Sequence, residues 1–195
     1  SLKRLIVGRM QLGEFDPDSI TRWNVISMKD VSTPASREMA LKMARETMTL
    51  LYNPKHALPL SKQLKQVVVM GPNANDSVMM WGNYNGTPRH TVTILDGIRR
   101  KIGAQRVKFI EGCGLVQPHR RGNQVLTTQQ LVEEGGDVKM VIFVGGISPQ
   151  LEGEQLEVEA KGFKGGDRVT IELPQVQREM IAALHAAGKQ VIMVN

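Results

Sequence analysis

The chain has 195 residues, of which 41% are hydrophobic and 23% charged, a composition typical of a globular protein with a sizeable core. Its formal net charge of +6 comes from dispersed residues, without the basic stripe or interleaved aromatic residues of a nucleic-acid-binding surface, so we predict no nucleic-acid partner. No apolar run approaches the roughly 18 residues that span a bilayer, so no membrane partner is predicted either.

The cysteine and histidine content restricts the chemistry further. Cys113 is the only cysteine, which excludes an internal disulfide and a thiolate metal cluster. The four histidines have neither an HExxH motif nor another paired metal-binding spacing. We therefore predict no metal site and no cofactor. A nucleophilic role for Cys113 would need a histidine partner that the sequence alone does not identify.

The first part of the chain contains two predicted helices and a linker between them. Residues 2–12 carry apolar groups at helical spacing, and Gly13 follows as a stop signal. The pattern breaks down from Glu14 to about Pro34, which is typical of a linker. Helical periodicity returns at residues 36–53 with a methionine-rich stripe, which we interpret as core filling. The predicted organisation is a terminal helix of one unit at 1–15, a linker at 16–35 and a second unit at 36–195.

Strand and helix patterns alternate through the rest of the chain. The predicted strands are 65–71, 106–112, 138–146 and 190–195, and the predicted helices are 91–103, 127–135 and 173–189. Nearly continuous apolar strands separated by helices indicate a parallel sheet covered on both faces. The predicted fold is therefore α/β, a three-layer sandwich with a mostly parallel sheet. The last strand, QVIMVN, has no covering element after it, which favours truncation at the C-terminus.

Ligands of such sheets bind outside the carboxyl ends of the strands, which selects the loops after Met70, Glu111 and Val144. The loop at 145–172 carries six acidic residues: Glu152, Glu154, Glu157, Glu159, Asp167 and Glu172. It has no GxGxxG or GxxxxGK[ST] motif, and its carboxylates would repel phosphate, so nucleotide binding is disfavoured. A partly desolvated carboxyl group suits general acid/base chemistry, but an acidic loop can equally be a solvated surface.

Several segments, taken in order, resemble family 3 glycoside hydrolases. These are RLIVGRMQLGEFD, ETMTLLYNPKHALPL, VVVMGPNAND, WGNYNGTP with TVTILDGIRRKIG, and VIFVGGISPQLEGE with GGDRVTIELPQVQREMI. The resemblance implies that residues 1–15 are the last helix of an N-terminal (β/α) barrel domain. It also implies that residues 36–195 are an incomplete C-terminal α/β sandwich domain.

The resemblance further implies a retaining mechanism with an Asp nucleophile on the barrel, outside this chain, and a Glu acid/base on a sandwich loop. The acid/base maps to Glu152, with Glu154 as the alternative because the loop length varies among relatives. Trp81 and Tyr84 map to a loop that supplies aromatic walls to the sugar site, although Trp81 could instead pack against the barrel. The Asp167-Arg168 pair is interpreted as a structural loop salt bridge.

The implied function is part of an exo-acting β-glucosidase or β-xylosidase that releases terminal non-reducing sugars. Its partners would be an oligosaccharide or aryl glycoside substrate and the missing N-terminal barrel domain. The residues that select glucose or xylose lie mostly in that barrel. The family implies a periplasmic or secreted location, and the chain alone is expected to be inactive. The alternative is a non-catalytic sugar-binding or scaffolding α/β module.

Overall fold

The computed structural model describes residues 1–151 and 156–195. The chain divides into two compact units, residues 1–59 and residues 60–195. The second unit contains the sheet and all of its covering helices. The domain boundaries predicted at residues 15 and 35 stay predictions.

The first unit is helical. Helix α1 spans Leu2–Gln11 and helix α2 spans Pro34–Thr47, with 3₁₀ turns at Arg22–Val25 and Met28–Asp30 between them. Thr33 caps the N-terminus of helix α2, and its side-chain oxygen accepts a hydrogen bond from the Ser36 N–H at 3.1 Å.

The methionine-rich stripe of α2 is exposed. All of residues 1–59 are described, and within them neither α1 nor α2 has a buried residue. Met43 and Met48 keep 60% and 79% of their surface exposed. The expectation that this stripe fills a core is therefore wrong for the chain described. Helical periodicity indicates which face is apolar, but it does not identify what covers that face.

The second unit is an α/β domain. Its strands are β1 (Val67–Met70), β2 (Val107–Ile110), β3 (Arg120–Arg121), β4 (Gln124–Val125), β5 (Met140–Val144), β6 (Phe163–Lys164), β7 (Asp167–Arg168) and β8 (Gln190–Val194). Its helices are α3 (Ile94–Ile102), α4 (Thr128–Glu134) and α5 (Gln175–Ala186), with short 3₁₀ turns at Met79–Trp81 and Ala104–Arg106.

Four strands form a parallel sheet in the order β2-β1-β5-β8. In register, Val68 of β1 lies opposite Val141 of β5, and Val141 lies opposite Val191 of β8. Each pair of sequential strands is joined through one helix: α3 connects β1 to β2, α4 connects β2 to β5, and α5 connects β5 to β8.

Helices cover both faces of this sheet, which confirms the three-layer α/β prediction. Val67 and Val69 of β1 pack with Leu95 of α3, on one face. Val68 and Met70 pack on the other face, with apolar residues of α4 and α5: Leu131, Val132, Met180 and Leu184. Alternate side chains of a strand point to opposite faces, so β1 is fully buried on both.

Two short antiparallel hairpins, β3-β4 and β6-β7, lie outside the main sheet and were not predicted. Each joins two-residue strands through a tight glycine-containing turn, at Gly122 and at Gly165-Gly166. Strands this short carry too little periodicity to be recognised in the sequence.

The buried face of α5 should determine the stability of the second unit. Leu184→Ala removes a side chain that is 1% exposed and should lower the free energy of unfolding by about 2–5 kcal/mol. His185→Ala, on the exposed side of the same helix, should change it by less than about 0.5 kcal/mol. Urea unfolding of both variants, followed by circular dichroism, measures the difference. Equal effects would contradict the core assignment.

Candidate functional site

The strand order places a topological switch point, where open α/β sheets form a crevice, at the carboxyl ends of β1 and β5. These strands are neighbours, yet the chain leaves β1 toward α3 on one face and leaves β5 toward α5 on the other. Ligands of open α/β sheets bind where adjacent strand connections diverge in this way. The β1/β5 edge is therefore the candidate site.

The three strand-end loops predicted from the sequence meet at this edge. The Gly71 N–H donates to the Glu111 carbonyl oxygen at 3.2 Å, which joins the loops after β1 and β2. The Asn73 N–H donates to the Val144 carbonyl oxygen at 3.3 Å, which joins the loop after β1 to the end of β5. The juxtaposition of these loops is thus confirmed.

Two side-chain amides bind the backbone where β5 ends. The Asn73 Nδ2 donates to the Gly145 carbonyl oxygen at 2.8 Å and to the Ile147 carbonyl oxygen at 3.4 Å. The Gln177 Oε1 accepts from the Gly146 N–H at 2.9 Å, and its Nε2 donates to the Gly146 carbonyl oxygen at 2.7 Å. The Gly145 N–H donates to the Val194 carbonyl oxygen at 2.9 Å. With the bonds from Asn73 and Gln177, the N–H and C=O groups of both Gly145 and Gly146 are therefore hydrogen-bonded.

Glycine is required at this edge because the chains approach closely. A Cβ on Gly71, which has φ +118°, would lie 2.2 Å from the Val144 carbonyl oxygen. A Cβ on Gly145 would lie 2.6 Å from Gln177 Oε1. Both distances are far below van der Waals contact, so larger residues would separate β1 from β5 or displace the Gln177 amide.

Glu152 and Glu154, the predicted acid/base residues, lie outside the described residues. Within the described part of the loop, the Arg168 guanidinium lies 5.0 Å from the Phe163 ring centroid and donates to the carbonyl oxygens of Thr170 and Glu172. Arg168 thus orders the end of the loop, residues 163–172, through backbone acceptors and a cation–π contact. An ion pair beside it joins Glu172 to Arg178 at 2.8 Å. The structural role predicted for the Asp167-Arg168 pair is filled by Arg168, through hydrogen bonds to the 170–172 backbone, whereas the ion pair described in this region joins Glu172 to Arg178.

Trp81 and Tyr84 lie on the connection between β1 and α3. The Trp81 indole is half-buried, and its Nε1–H donates to the Thr91 hydroxyl oxygen at 2.7 Å. Tyr84 keeps 83% of its surface exposed and has a positive φ of 53°. Trp81 therefore has a fixed indole orientation, whereas the Tyr84 side chain is presented to solvent.

A cleft of about 520 Å³ lies between the ends of β1 and β2, lined by Asp76, Glu111, Cys113 and His119 among others. The His119 Nε2 is 3.2 Å from the Glu111 carboxylate. Burial raises the pKa of the Cys113 thiol from 9.0 to about 12, so this thiol stays protonated at neutral pH. That state argues against a nucleophilic role for Cys113.

Among residues 1–151 and 156–195, no group of three His, Cys, Asp or Glu side chains is arranged to hold a metal ion.

Gln177 and Asn73 are residues of this edge that the sequence did not reveal, although an asparagine after a strand and a Gly-Pro pair is typical of a turn. Asn73 instead bonds a segment more than 70 positions along the chain. Gln177 occupies the apolar stripe of α5, three residues before Met180 and seven before Leu184. An amide at such a position is the signal that could have identified it, since buried polar side chains need specific partners.

The Cys113 environment leads to a direct test by alkylation. At pH 8 a thiol of pKa about 12 is about one part in 10⁴ thiolate, against roughly one tenth for a pKa of 9.0. Iodoacetamide should therefore modify Cys113 at least about 100-fold more slowly in the native chain than in the chain unfolded by 8 M urea. Because the folded-state pKa is raised, the stability that Cys113 contributes is lost as pH rises from about 9 toward 12. Fast alkylation of the native thiol would contradict the burial.

In the described part of the chain, no helix is long and apolar enough to cross a membrane.

The chain spans between 23% and 38% of the length of three curated relatives. It is 31% identical to a xylan 1,4-beta-xylosidase of Xylanibacter ruminicola, over 98% of this chain and 38% of that protein. A beta-xylosidase of Formosa agariphila is 29% identical over 98% of this chain and 25% of its own length. A probable exo-1,4-beta-xylosidase, xlnD, of Neosartorya fischeri is 31% identical over 100% of this chain and 23% of its own length.

Solved structures have the same fold. A GH3 exo-beta-xylosidase (XlnD), in complex with a xylobiose aziridine activity-based probe, superposes with a TM-score of 0.76 at 27% identity, over 97% of this chain and 22% of its own. A beta-glucosidase from Listeria innocua has a TM-score of 0.70 at 20% identity, over 97% of this chain and 24% of its own, which is a likeness of fold alone. The family model described as "Glycosyl hydrolase family 3 C-terminal domain" matches residues 48–195. The chain therefore belongs to the glycosyl hydrolase family 3 C-terminal domain family.

Proposed function

We propose that this chain supplies the general acid/base loop of a retaining, exo-acting β-glycosidase. The Asp nucleophile belongs to an N-terminal barrel domain outside the chain. Family membership supports the reaction class, and the short share of each relative that the chain spans supports a second domain.

The observation that carries the proposal is the position at which the acidic loop begins. It leaves the sheet at Gly145-Gly146, beside the β1/β5 crevice, and Glu152 follows Gly146 by six residues. Ligands of such sheets bind beside the loops that leave this edge, which supports a proton-transfer role for a carboxyl group of this loop. The candidate site and the start of the acidic segment lie at the same sheet edge.

In the proposed reaction, Glu152 protonates the glycosidic oxygen while the barrel carboxylate attacks the anomeric carbon. Glu152 then accepts a proton from the water that hydrolyses the glycosyl-enzyme intermediate. Retaining sites hold the two carboxyl groups roughly 5–5.5 Å apart, so the charge of the nucleophile raises the pKa of the acid and keeps it protonated until the covalent bond forms. Glu154 is the alternative residue for this role.

Trp81 and Tyr84 are proposed to form aromatic walls of the sugar site. Aromatic rings pack on the C–H face of a pyranose, and a useful wall needs a fixed ring plane. The hydrogen bond from Trp81 to Thr91 supplies that fixation. Tyr84 offers an exposed ring three residues later on the same loop.

The exposed apolar residues of α1 and α2 are proposed to pack against the missing barrel domain. Leu2, Leu5 and Met10 of α1 keep between 59% and 70% of their surface exposed. Exposed apolar faces of this extent are typical of protein–protein or interdomain contacts.

The proposed substrates are oligosaccharides or aryl glycosides with a terminal β-linked sugar. A β-xyloside is the first choice because the three curated relatives described above are named as xylosidases. We also infer a periplasmic or secreted location for the full-length protein, in keeping with its family membership.

The acid/base assignment is tested by Glu152→Gln and Glu154→Gln in the full-length enzyme. Loss of the acid should lower kcat/KM by about 10²–10⁴-fold on an aryl β-xyloside with a poor leaving group, and far less on one with an activated leaving group. Steady-state kinetics on both substrates, with and without azide, measure this. Azide should restore turnover of the activated substrate because it replaces the water that needs a general base.

The two variants are controls for each other. The acid/base should show the full leaving-group dependence, and the other Glu should stay within a few-fold of wild type. If neither variant discriminates between the substrates, the loop is not catalytic, and the non-catalytic sugar-binding or scaffolding role is supported instead.

The 195-residue chain by itself should not hydrolyse either substrate, since the proposed nucleophile is outside it. Mixing the chain with a separately produced barrel domain should restore measurable turnover only if the two associate. Hydrolysis by the purified chain alone would contradict the division of the site between domains.

A further inference from the structure

Two buried amides hold the root of the acidic loop, defined here as Gly145–Ile147. Gln177 reaches this root from α5 and Asn73 reaches it from the loop after β1. We propose that Gln177 and Asn73 are positioning residues for the acid/base, acting through the backbone from which its loop departs. This proposal rests on the proposed function.

The Gln177 amide can occupy its place in only one orientation. Its Oε1 faces an N–H donor, the Gly146 amide, at 2.9 Å. Its Nε2 faces two carbonyl oxygens, Gly146 O at 2.7 Å and Leu115 O at 2.8 Å. Exchanging the oxygen and nitrogen would place acceptor against acceptor and donor against donor. The amide therefore defines the directions of both the N–H and the C=O of Gly146.

Gln177 is 0% exposed and lies among apolar side chains of α5. An apolar residue of the same length would avoid the cost of removing an amide from water, but it would leave the Gly146 N–H and the carbonyl oxygens of Gly146 and Leu115 without these partners. Glutamine at this position is therefore matched to three backbone groups. Its complete hydrogen bonding specifies one backbone geometry, as satisfied buried polar networks do.

Asn73 restrains the residues on either side of Gly146. Its Nδ2 donates to Gly145 O at 2.8 Å and to Ile147 O at 3.4 Å, and it is 3% exposed. Gly146 itself has φ +95°, a conformation in which the peptide planes on its two sides could otherwise vary widely. Together the two amides restrict the direction in which the chain leaves β5.

We expect a change in that direction to displace the segment that follows the root, including the proposed acid/base. A misplacement of about 1 Å in a reacting group can cost about 100-fold in rate, even when the altered residue never touches substrate. Removing an amide from the root should therefore impair the step that needs the acid, while steps that do not need it continue.

The principal test is Gln177→Met in the full-length enzyme, since methionine keeps the length of the side chain and removes its hydrogen bonds. We expect kcat/KM to fall by about 10–100-fold on the poor-leaving-group xyloside and by less than about three-fold on the activated one. Asn73→Ala should change the leaving-group dependence in the same direction by a smaller factor, because Gln177 still holds Gly146. If Gln177→Met does not fold, the Asn73→Ala variant serves as the test in its place.

Leu131→Ala is the matched control, because it removes a buried side chain of α4 on the same face of the sheet that has no polar atom to hydrogen-bond the root. Urea midpoints show how far each variant is destabilised. Leu131→Ala should lower the midpoint and leave the ratio of the two kcat/KM values at its wild-type value. A purely structural role for Gln177 would give that same result, and it would overturn the proposal.

Failure of this proposal is distinguishable from failure of the proposed function. If Glu152→Gln or Glu154→Gln discriminates between the substrates but Gln177→Met and Asn73→Ala do not, the acid/base assignment stands and the positioning role is rejected. If no variant discriminates, the catalytic role of the loop is itself rejected.

Discussion

Burial of β1 on both faces is the constraint on which the second unit depends. Each residue from Val67 to Met70 is 0% exposed, so alternate side chains must find apolar partners above and below the sheet. Helix α3 supplies those partners on one face, and α4 and α5 supply them on the other. A chain that places one helix on one face and two on the other must reverse its direction of winding, which happens between β1 and β5. The switch point at this edge, where ligands of such sheets bind, is thus a consequence of core packing.

Much of this architecture could be predicted from the sequence because its signals are local. The apolar run of β1 lies between a lysine-containing segment and a Gly-Pro pair, and α5 lies between Pro174 and Gly188. The hairpin β3-β4 was missed because its four paired residues are all exposed and leave no apolar pattern. The role of Gln177 was missed for another reason. Its partners lie 31 and 62 positions away, so only the folded chain brings them together.

The candidate site was predicted less completely than the fold. Parallel topology was enough to bring together the loops after Met70, Glu111 and Val144, because carboxyl ends of parallel strands share one edge. The identity of an acid/base residue depends on side-chain placement in a loop whose sequence contains several carboxylates at short intervals. Periodicity cannot distinguish among them. The exposed stripe of α2 illustrates the same limit, since an amphipathic pattern describes one surface and leaves its partner undefined.

Contacts anchor the acidic loop to the rest of the domain near both of its ends. At its start the anchors are the amides of Asn73 and Gln177, and at its return they are Arg168 on the 170–172 backbone and the Glu172–Arg178 pair. Closing a flexible loop costs only about 0.6 kcal/mol more for each doubling of its length. The stretch between the anchors can therefore lengthen, shorten or change composition during evolution at little cost to the sheet. The same arrangement makes the stretch between the anchors exchangeable, so that the corresponding stretch of a relative could replace it without redesign of the core.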